Sequence, residues 1–337
     1  MEFSEQVPIE PRPYERPKRD SSGWKIFWGV ITGLSIFGNI VLFLMLIGVS
    51  VLALSGTGGR GYYVEEVVRS GPATRKIVVI HLTGLIDESV SDDICEQIRR
   101  AGSSGEVRGI ILSVDSPGGL VSASDQIYNE IKKLRQETTK PVVAFMHNVA
   151  ASGGYYASVA CESIVAEPTA ITGSIGVIAS YFVFQKLLEG KLGIEPVVIK
   201  SGLRKDWPSL FRKPDEEQLQ YLREKFIEPS YERFVKIVAD SRDSLTESEV
   251  RKLADGSIYN ADEAKENKLI DKVGYFDEAL DEVMYLAGIK SARVVTYRRP
   301  FSLSYLLNMK AENTVKIDRS TLHRLSAPQV MYLWSIY

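Results

Sequence analysis

Two short glycine-bearing strings stand where this chain could do chemistry. DSPGG, Asp115 to Gly119, follows an apolar run and precedes a helical pattern. Its glycines let the backbone come close to a ligand and point free amides at it, as an oxyanion hole requires. HNVAASGGYYA, His147 to Ala157, also follows an apolar run. Ser152, with Gly153 and Gly154 behind it, would stand at the start of a short helix, where the dipole favours developing negative charge. Each string alone also fits an ordinary turn or helix start. Two of them at neighbouring strand ends read as a nucleophile facing an oxyanion hole.

A serine needs a base. His81, His147 and His323 are the only histidines. His147 ends the run that leads to Ser152, and His323 lies far off in the C-terminal stretch, so a Ser/His/Asp triad is possible but has no further support. Lysine is the other option, because a neutral ε-amine can accept the serine proton. In water a lysine pKa of ~10.4 leaves only about one in 10³ neutral at pH 7, and desolvation is the effect able to lower it by up to about 3–5 units. Lys205, in KSGLRKDWPS, and Lys200, five residues earlier, are both candidates. Ser174, in TGSIGV, could supply a hydroxyl to orient such an amine. The residues alone leave the choice between the two lysines open.

These groups must be held by a scaffold. KIVVIHL (76–82), RGIILSV (108–114), PVVAFMH (141–147), SIVAE (163–167) and EPVVIK (195–200) are short, nearly continuous apolar runs, as expected of strands buried on both faces. Between the first two, SVSDDICEQIRRAG has acidic residues near its start and arginines near its end, as a helix should. After Gly119, residues Leu120, Ile127, Tyr128, Ile131 and Leu134 form one helical stripe. A helical region interrupted by Pro229 (about 215–241) and a helix-rich segment (about 246–287) follow. Alternation of strand and helix predicts an α/β fold with a largely parallel sheet.

Ile26 to Leu54 carries no charge and exceeds the ~20 apolar residues that span a bilayer. It is also much longer than the roughly 7–15-residue apolar region of a cleaved signal peptide, which favours an uncleaved anchor. Arg12, Arg16, Lys18, Arg19 and Lys25 precede it, while few basic residues follow closely, Arg60 and Arg69 among them. The positive-inside rule then places the N-terminus in the cytoplasm and the bulk of the chain outside. The expected organisation is a Pro-rich, charged cytoplasmic tail (1–25), the anchor (26–54), a glycine-bearing linker (55–75), a globular domain (76–298) and a C-terminal tail (299–337). With a net charge of −2 among 337 residues there is no general basic field, so nucleic acid is not an expected partner. Cys95 and Cys161, the only cysteines, lie in no metal-binding or disulfide pattern and read as small buried hydrophobes.

DSPGG (115–119), AASGGYY (150–156), TGSIGV (172–177), SGLRKD (201–206) and DGSIYNADEAKENKLIDKVGYFDEAL (255–280) resemble, in order and approximate spacing, the motifs of the signal peptide peptidase A family. These are serine peptidases of the Clp/crotonase superfold, and the resemblance covers roughly residues 76–290. It implies Ser152 as nucleophile, Lys205 as general base, Ser174 as the hydroxyl that orients the lysine, and the amides of Gly118, Gly119 and Gly153 as the oxyanion hole. It implies neither metal nor organic cofactor. Its implied partners are apolar peptides such as remnant signal peptides, the cytoplasmic membrane, and further copies of the chain in a closed homo-oligomer, where the serine of one protomer meets the lysine of its neighbour. A CoA-dependent hydratase or isomerase of the same superfold and a noncatalytic membrane scaffold are the rival readings. The end of the chain, SAPQVMYLWSIY, has no charged side chain. Such a segment is expected to dock on the domain or to lie in the substrate groove.

Overall fold

A computed structural model describes residues 22–55, 63–299 and 329–334. The cytoplasmic tail expected over 1–25 lies almost wholly outside the described residues, as do His323 and the first part of the linker. Helix α1 (Ser22–Ser55) is a unit of its own, and its Gly23–Ser50 stretch is long and apolar enough to cross a membrane. Trp24, Phe27 and Trp28 cluster at its start, with Trp24 5.8 Å from Phe27 and 6.1 Å from Trp28. Aromatic rings of this kind favour a membrane–water boundary.

The globular unit is built on strands β1 (Val64–Arg69), β2 (Lys76–Thr83), β3 (Val107–Ser116), β4 (Gly118–Leu120), β5 (Val142–Ala151), β6 (Ser163–Ala166), β7 (Ile171–Gly173), β8 (Ile178–Ser180), β9 (Ile258–Asn260), β10 (Lys272–Val273), β11 (Arg293–Arg298) and β12 (Gln329–Leu333). The main sheet runs β1-β11-β2-β3-β5-β6-β10, with β7 on β5 and β9 on β7. From β11 through β10 its neighbours are parallel, as the apolar runs predict. Alternation along β2 sends Val78, Ile80 and Leu82 into one buried layer and Ile77 and Val79 into the other.

The first layer is covered by α2 (Glu88–Ser103), α3 (Val121–Glu137), α4 (Gly153–Ser158) and α7 (Glu228–Ser241). The second is covered by α10 (Phe276–Leu286), whose Ala279, Leu280 and Val283 pack on Ile111 and Val143. Between these lie α5 (Gln185–Leu187), α6 (Glu216–Leu222), α8 (Glu247–Leu253) and α9 (Ala261–Glu266), with π-helical turns at Leu188–Leu192 and Arg223–Ile227. Cys95 and Cys161 are free and buried, and burial pushes the Cys95 thiol up to about 12, which suits a packing role.

Three expectations change. β1 falls inside the stretch read as linker and pairs antiparallel with β11. Its two glutamates hid it in the sequence, yet an edge strand tolerates charge. The helix-rich segment after 246 carries two short strands, β9 and β10. EPVVIK (195–200), read as a buried strand, takes no regular structure, and Val197 and Ile199 are 83% and 96% exposed. An apolar run shows that side chains avoid water, not which chain covers them.

Candidate active site

Ser152 follows β5 directly and caps α4 in a conformation of φ 53° and ψ −111°. A non-glycine residue at positive φ costs about 1–3 kcal/mol and persists where its surroundings fix it. Here the Ser152 amide donates to the Gly173 carbonyl at 2.8 Å, and its carbonyl accepts from the Tyr156 amide at 2.8 Å. The tight turn thrusts the hydroxyl away from the backbone. Its Oγ is buried and has no hydrogen-bond partner. A buried hydroxyl without a partner is costly, and Ser152 Oγ shares that state with Ser163 Oγ and the Tyr181 hydroxyl.

Ser174 emerges beside it, because Ala151 of β5 pairs with Gly173 of β7 and each serine follows one member of that pair. Ser174 is also at positive φ, 48°, with its amide fixed to the Ser257 carbonyl at 2.7 Å. It lines a cavity of about 1080 Å³ together with Val177, Ile178, Tyr231, Leu333 and Trp334.

The DSPGG turn faces Ser152 from β3. The Ser116 hydroxyl donates to the Gly84 carbonyl at 2.6 Å and accepts from the Gly118 amide at 3.1 Å. That bond occupies Gly118, one of the three predicted oxyanion donors, and leaves Gly119 and Gly153. Gly118 itself sits at φ 100°, and a Cβ there would fall 2.7 Å from the Gly153 amide nitrogen, so only glycine fits between the two strings.

Strand β12 lies across this turn, antiparallel to both β4 and β8. Of the C-terminal tail, residues 329–333 thus dock on the domain as a strand. The Trp334 amide donates to the Pro117 carbonyl at 2.9 Å. Two residues along an antiparallel ladder the bonded pattern recurs, which makes Gly119 and Tyr332 the next bonded pair. The Gly119 amide therefore faces the Tyr332 carbonyl. That oxygen would also lie 2.0 Å from a Cβ on Gly118, next to the Gly153 amide. A peptide carbonyl thus rests against the predicted oxyanion amides.

His147 Nδ1 pairs with Glu167 at 2.8 Å, and Ser152 Oγ has no hydrogen-bond partner, so the serine–histidine bond of a triad is not made in this chain. Of the two lysines, Lys200 donates to Asp206 at 2.6 Å and to the Leu203 carbonyl at 2.9 Å, and that ion pair holds the Asp206 carboxyl below its usual range. Lys205 is exposed, and its ammonium has no partner among the described residues. It is not bonded to Ser152 or Ser174. Among the described residues no group of His, Cys, Asp and Glu side chains could hold a metal ion.

The model of peptidase family S49 matches residues 134–290, and that of Clp protease matches residues 70–167. An Enterococcus faecium relative named for signal peptide peptidase SppA is 35% identical over 268 residues, covering 75% of this chain and 77% of its own. The chain belongs to the signal peptide peptidase A family. A Methanocaldococcus jannaschii relative named as a protease is 34% identical over 285 residues, 79% of this chain and 88% of its own. Protease 4 of Salmonella typhi is 31% identical over 268 residues, 73% of this chain but 43% of its own length. As a member of this family the chain is a serine peptidase, which removes the hydratase and scaffold readings. Missed in the sequence was the aromatic pocket under β12, formed by Tyr156 and Phe234 around Tyr332. Its members stand far apart in the chain, and their only local signal was the Tyr-Tyr pair of AASGGYY.

Proposed function

We propose that this peptidase is a membrane-anchored endopeptidase with a Ser/Lys dyad that cleaves apolar peptides, remnant signal peptides among them, at the outer face of the cytoplasmic membrane. Ser152 Oγ attacks the scissile carbonyl while the neutral Lys205 amine takes its proton. The oxyanion forms against the amides of Gly119 and Gly153, and the lysine returns the proton to the leaving amine. Water, deprotonated by the same lysine, then releases the acyl group from Ser152. The single observation that carries this reading is the unpaired Ser152 Oγ beside amides that a peptide strand already engages.

The lysine comes from a neighbouring copy. Lys205 is exposed within its own chain, whereas a general-base lysine must be desolvated, and the apolar segment before it lacks a cover. A head-to-tail contact between copies supplies that cover at every site only if it closes into a ring. Ser174, on the wall of the open cavity, would then hold the incoming amine. The apolar helix α1 serves as anchor, with the basic residues upstream of it on the cytoplasmic side.

Mixing separately inactive Ser152→Ala and Lys205→Ala chains under subunit exchange tests the assembly. Random mixing restores about one site in four across an interface. Continued inactivity after proven exchange would refute the shared site. Labelling by a fluorophosphonate probe, lost in Ser152→Ala, tests the nucleophile independently.

A further inference from the structure

Between Lys200 and Arg212 the chain carries five charged side chains: Lys200, Arg204, Lys205, Asp206 and Arg212. Four of them are paired. Lys200 donates to Asp206 Oδ1 at 2.6 Å and to the Leu203 carbonyl at 2.9 Å, so its ammonium ties together two points of the turn. Arg212 takes the other carboxylate oxygen, Oδ2, and the Asp206 side chain is left only 12% exposed. Arg204 lies 4.8 Å from the Tyr221 ring and 5.5 Å from the Trp207 ring, and it pairs with Glu217 of α6 at 3.4 Å. Helix α6 packs on the turn through the contact of Tyr221 with Trp207 at 5.7 Å. The Lys205 amide donates to the Gly202 carbonyl at 3.1 Å, which fixes its backbone. Of the five, only the Lys205 ammonium has no partner among the described residues.

We propose that Lys200, together with Arg212, holds Asp206 away from Lys205, so that the base enters the active site without a carboxylate partner. This rests on Lys205 being the general base. A base amine has to be neutral when the serine proton arrives, and an opposite charge within about 4–6 Å favours the ammonium instead. Two carboxylates stand close enough in the fold to interfere. Asp206 is the next residue in the chain, its Cα about 3.8 Å away across one peptide, and Glu217 is brought to the turn by α6. Each is engaged by another cation, Asp206 by Lys200 and Arg212 and Glu217 by Arg204. The bond from Lys200 is the first cause holding the Asp206 carboxyl below its usual range, so Asp206 is a carboxylate that would seek a new cation if released. Lys200 is therefore a positioning residue: it touches no substrate and acts through the direction in which Asp206 points. The two lysines divide the work, the first neutralising the carboxylate and the second moving the proton.

The test uses the full-length protein and follows kcat/KM for an apolar fluorogenic peptide as a function of pH. Lys200→Met frees one oxygen of Asp206 and removes a cation, and both changes favour the ammonium form of Lys205. The acid limb of the profile should move to higher pH by about one unit, a roughly ten-fold loss at a fixed pH on that limb, with the rate regained at higher pH. Lys200→Arg keeps a cation on Asp206 and should hold the limb where it is. The double variant Lys200→Met with Asp206→Asn removes the released carboxylate and should bring the limb back. A turn that had merely loosened would lower the rate at every pH without moving the limb, and Asp206→Asn would not cure it. A limb unmoved in Lys200→Met, or shifted as far in the double variant as in the single one, overturns the proposal. Should Lys200→Met fail to fold or assemble, Arg212→Met releases the other oxygen and must show the same shift and the same rescue. Lys205→Ala is measured alongside. If it stays active, the dyad reading falls and this inference with it; if it is inactive while the Lys200→Met limb stays in place, this inference alone is lost.

Discussion

The segment that carries Ser152 and the segment that carries Lys205 differ in almost every physical respect. Ser152 sits where β5, β7 and α4 meet, its backbone bonded on both sides and its neighbours Tyr155, Tyr156 and Ala151 fully buried. Residues 193–205 form no helix or strand, and Val197, Ile199 and Leu203 stand exposed at 83%, 96% and 67%. One half of the proposed catalytic pair is thus prepared within a single chain; the other is displayed at its surface. Under the proposed shared site, the difference divides the chemistry between a region stabilised by its own fold and one that a second body must bury.

The largest effect expected from this contrast is at Ser152. Ser152→Ala should lower peptide hydrolysis by at least about 10⁴-fold, in keeping with removal of a serine nucleophile. Since the Oγ is buried without a partner, its loss should leave the thermal midpoint unchanged or slightly raised. Assays of the purified variant check the first outcome and calorimetry the second. Substantial residual turnover would remove Ser152 from its role.

The next effect separates the two regions directly. Ile199→Asp should abolish assembly and activity together while leaving the melting of the monomeric domain within roughly 0.5 kcal/mol, as for a surface substitution. Val79→Asp, at a side chain 3% exposed in the core, should prevent folding altogether. Sedimentation and circular dichroism on both variants sharpen the comparison. An Ile199→Asp chain that still assembles and cleaves would show that the exposed run has no interfacial role.

The same contrast explains what could be read without coordinates. β2, β3, β5 and β6 were legible because β-branched runs buried by their own chain leave an unbroken apolar signature. EPVVIK carries the same signature and was misread, since periodicity records avoidance of water and not the identity of the cover. The glycines of DSPGG and the serines of AASGGYY and TGSIGV stood out through spacing and resemblance. Which amides remain available did not, because the Ser116 to Gly118 bond depends on Gly84, a residue 32 positions away from Ser116. The residues alone left Lys200 and Lys205 tied and the resemblance pointed to Lys205; the structure adds that Asp206 pairs with Lys200. Strand β1 was hidden by its glutamates, and the pocket under Tyr332 by the sequence distance between Tyr156 and Phe234.

A smaller effect concerns Gly118, where the nucleophile region and the DSPGG turn touch. Gly118→Ala places a methyl group 2.0 Å from the Tyr332 carbonyl oxygen and 2.7 Å from the Gly153 amide at a φ of 100°. The strain alone is worth about 1–2 kcal/mol, and the displaced carbonyl loses its contact with the proposed oxyanion amides. Hydrolysis should fall by about 10²–10³-fold, the range for losing one oxyanion donor, while the fold is retained. Stopped assays at saturating peptide would show the loss in kcat; a loss confined to KM would assign Gly118 to binding instead.

The smallest expected effect lies in the strand that covers the prepared site. Because β12 pairs with both β4 and β8, a substrate strand bound beside Gly119 as proposed must displace it, and the buried Tyr332 ring anchors it against that displacement. Burying such a side chain stabilises by about 1.5–3 kcal/mol, so Tyr332→Ala should weaken docking of the strand by roughly 10–150-fold. Activity toward added peptide rises only by the fraction of sites the strand had blocked, a few-fold where blockage was partial. Truncation after Arg324 removes the competitor entirely and should raise the rate at least as far as Tyr332→Ala does. Since removal of the anchor also exposes Tyr156 and Phe234, part of the gain can be offset by lost stability, and thermal melts of both variants measure that share. A truncated chain that folds normally and hydrolyses peptide no faster than the full chain would mean that β12 leaves the groove at no cost, and that the ordered strand is not a barrier to substrate.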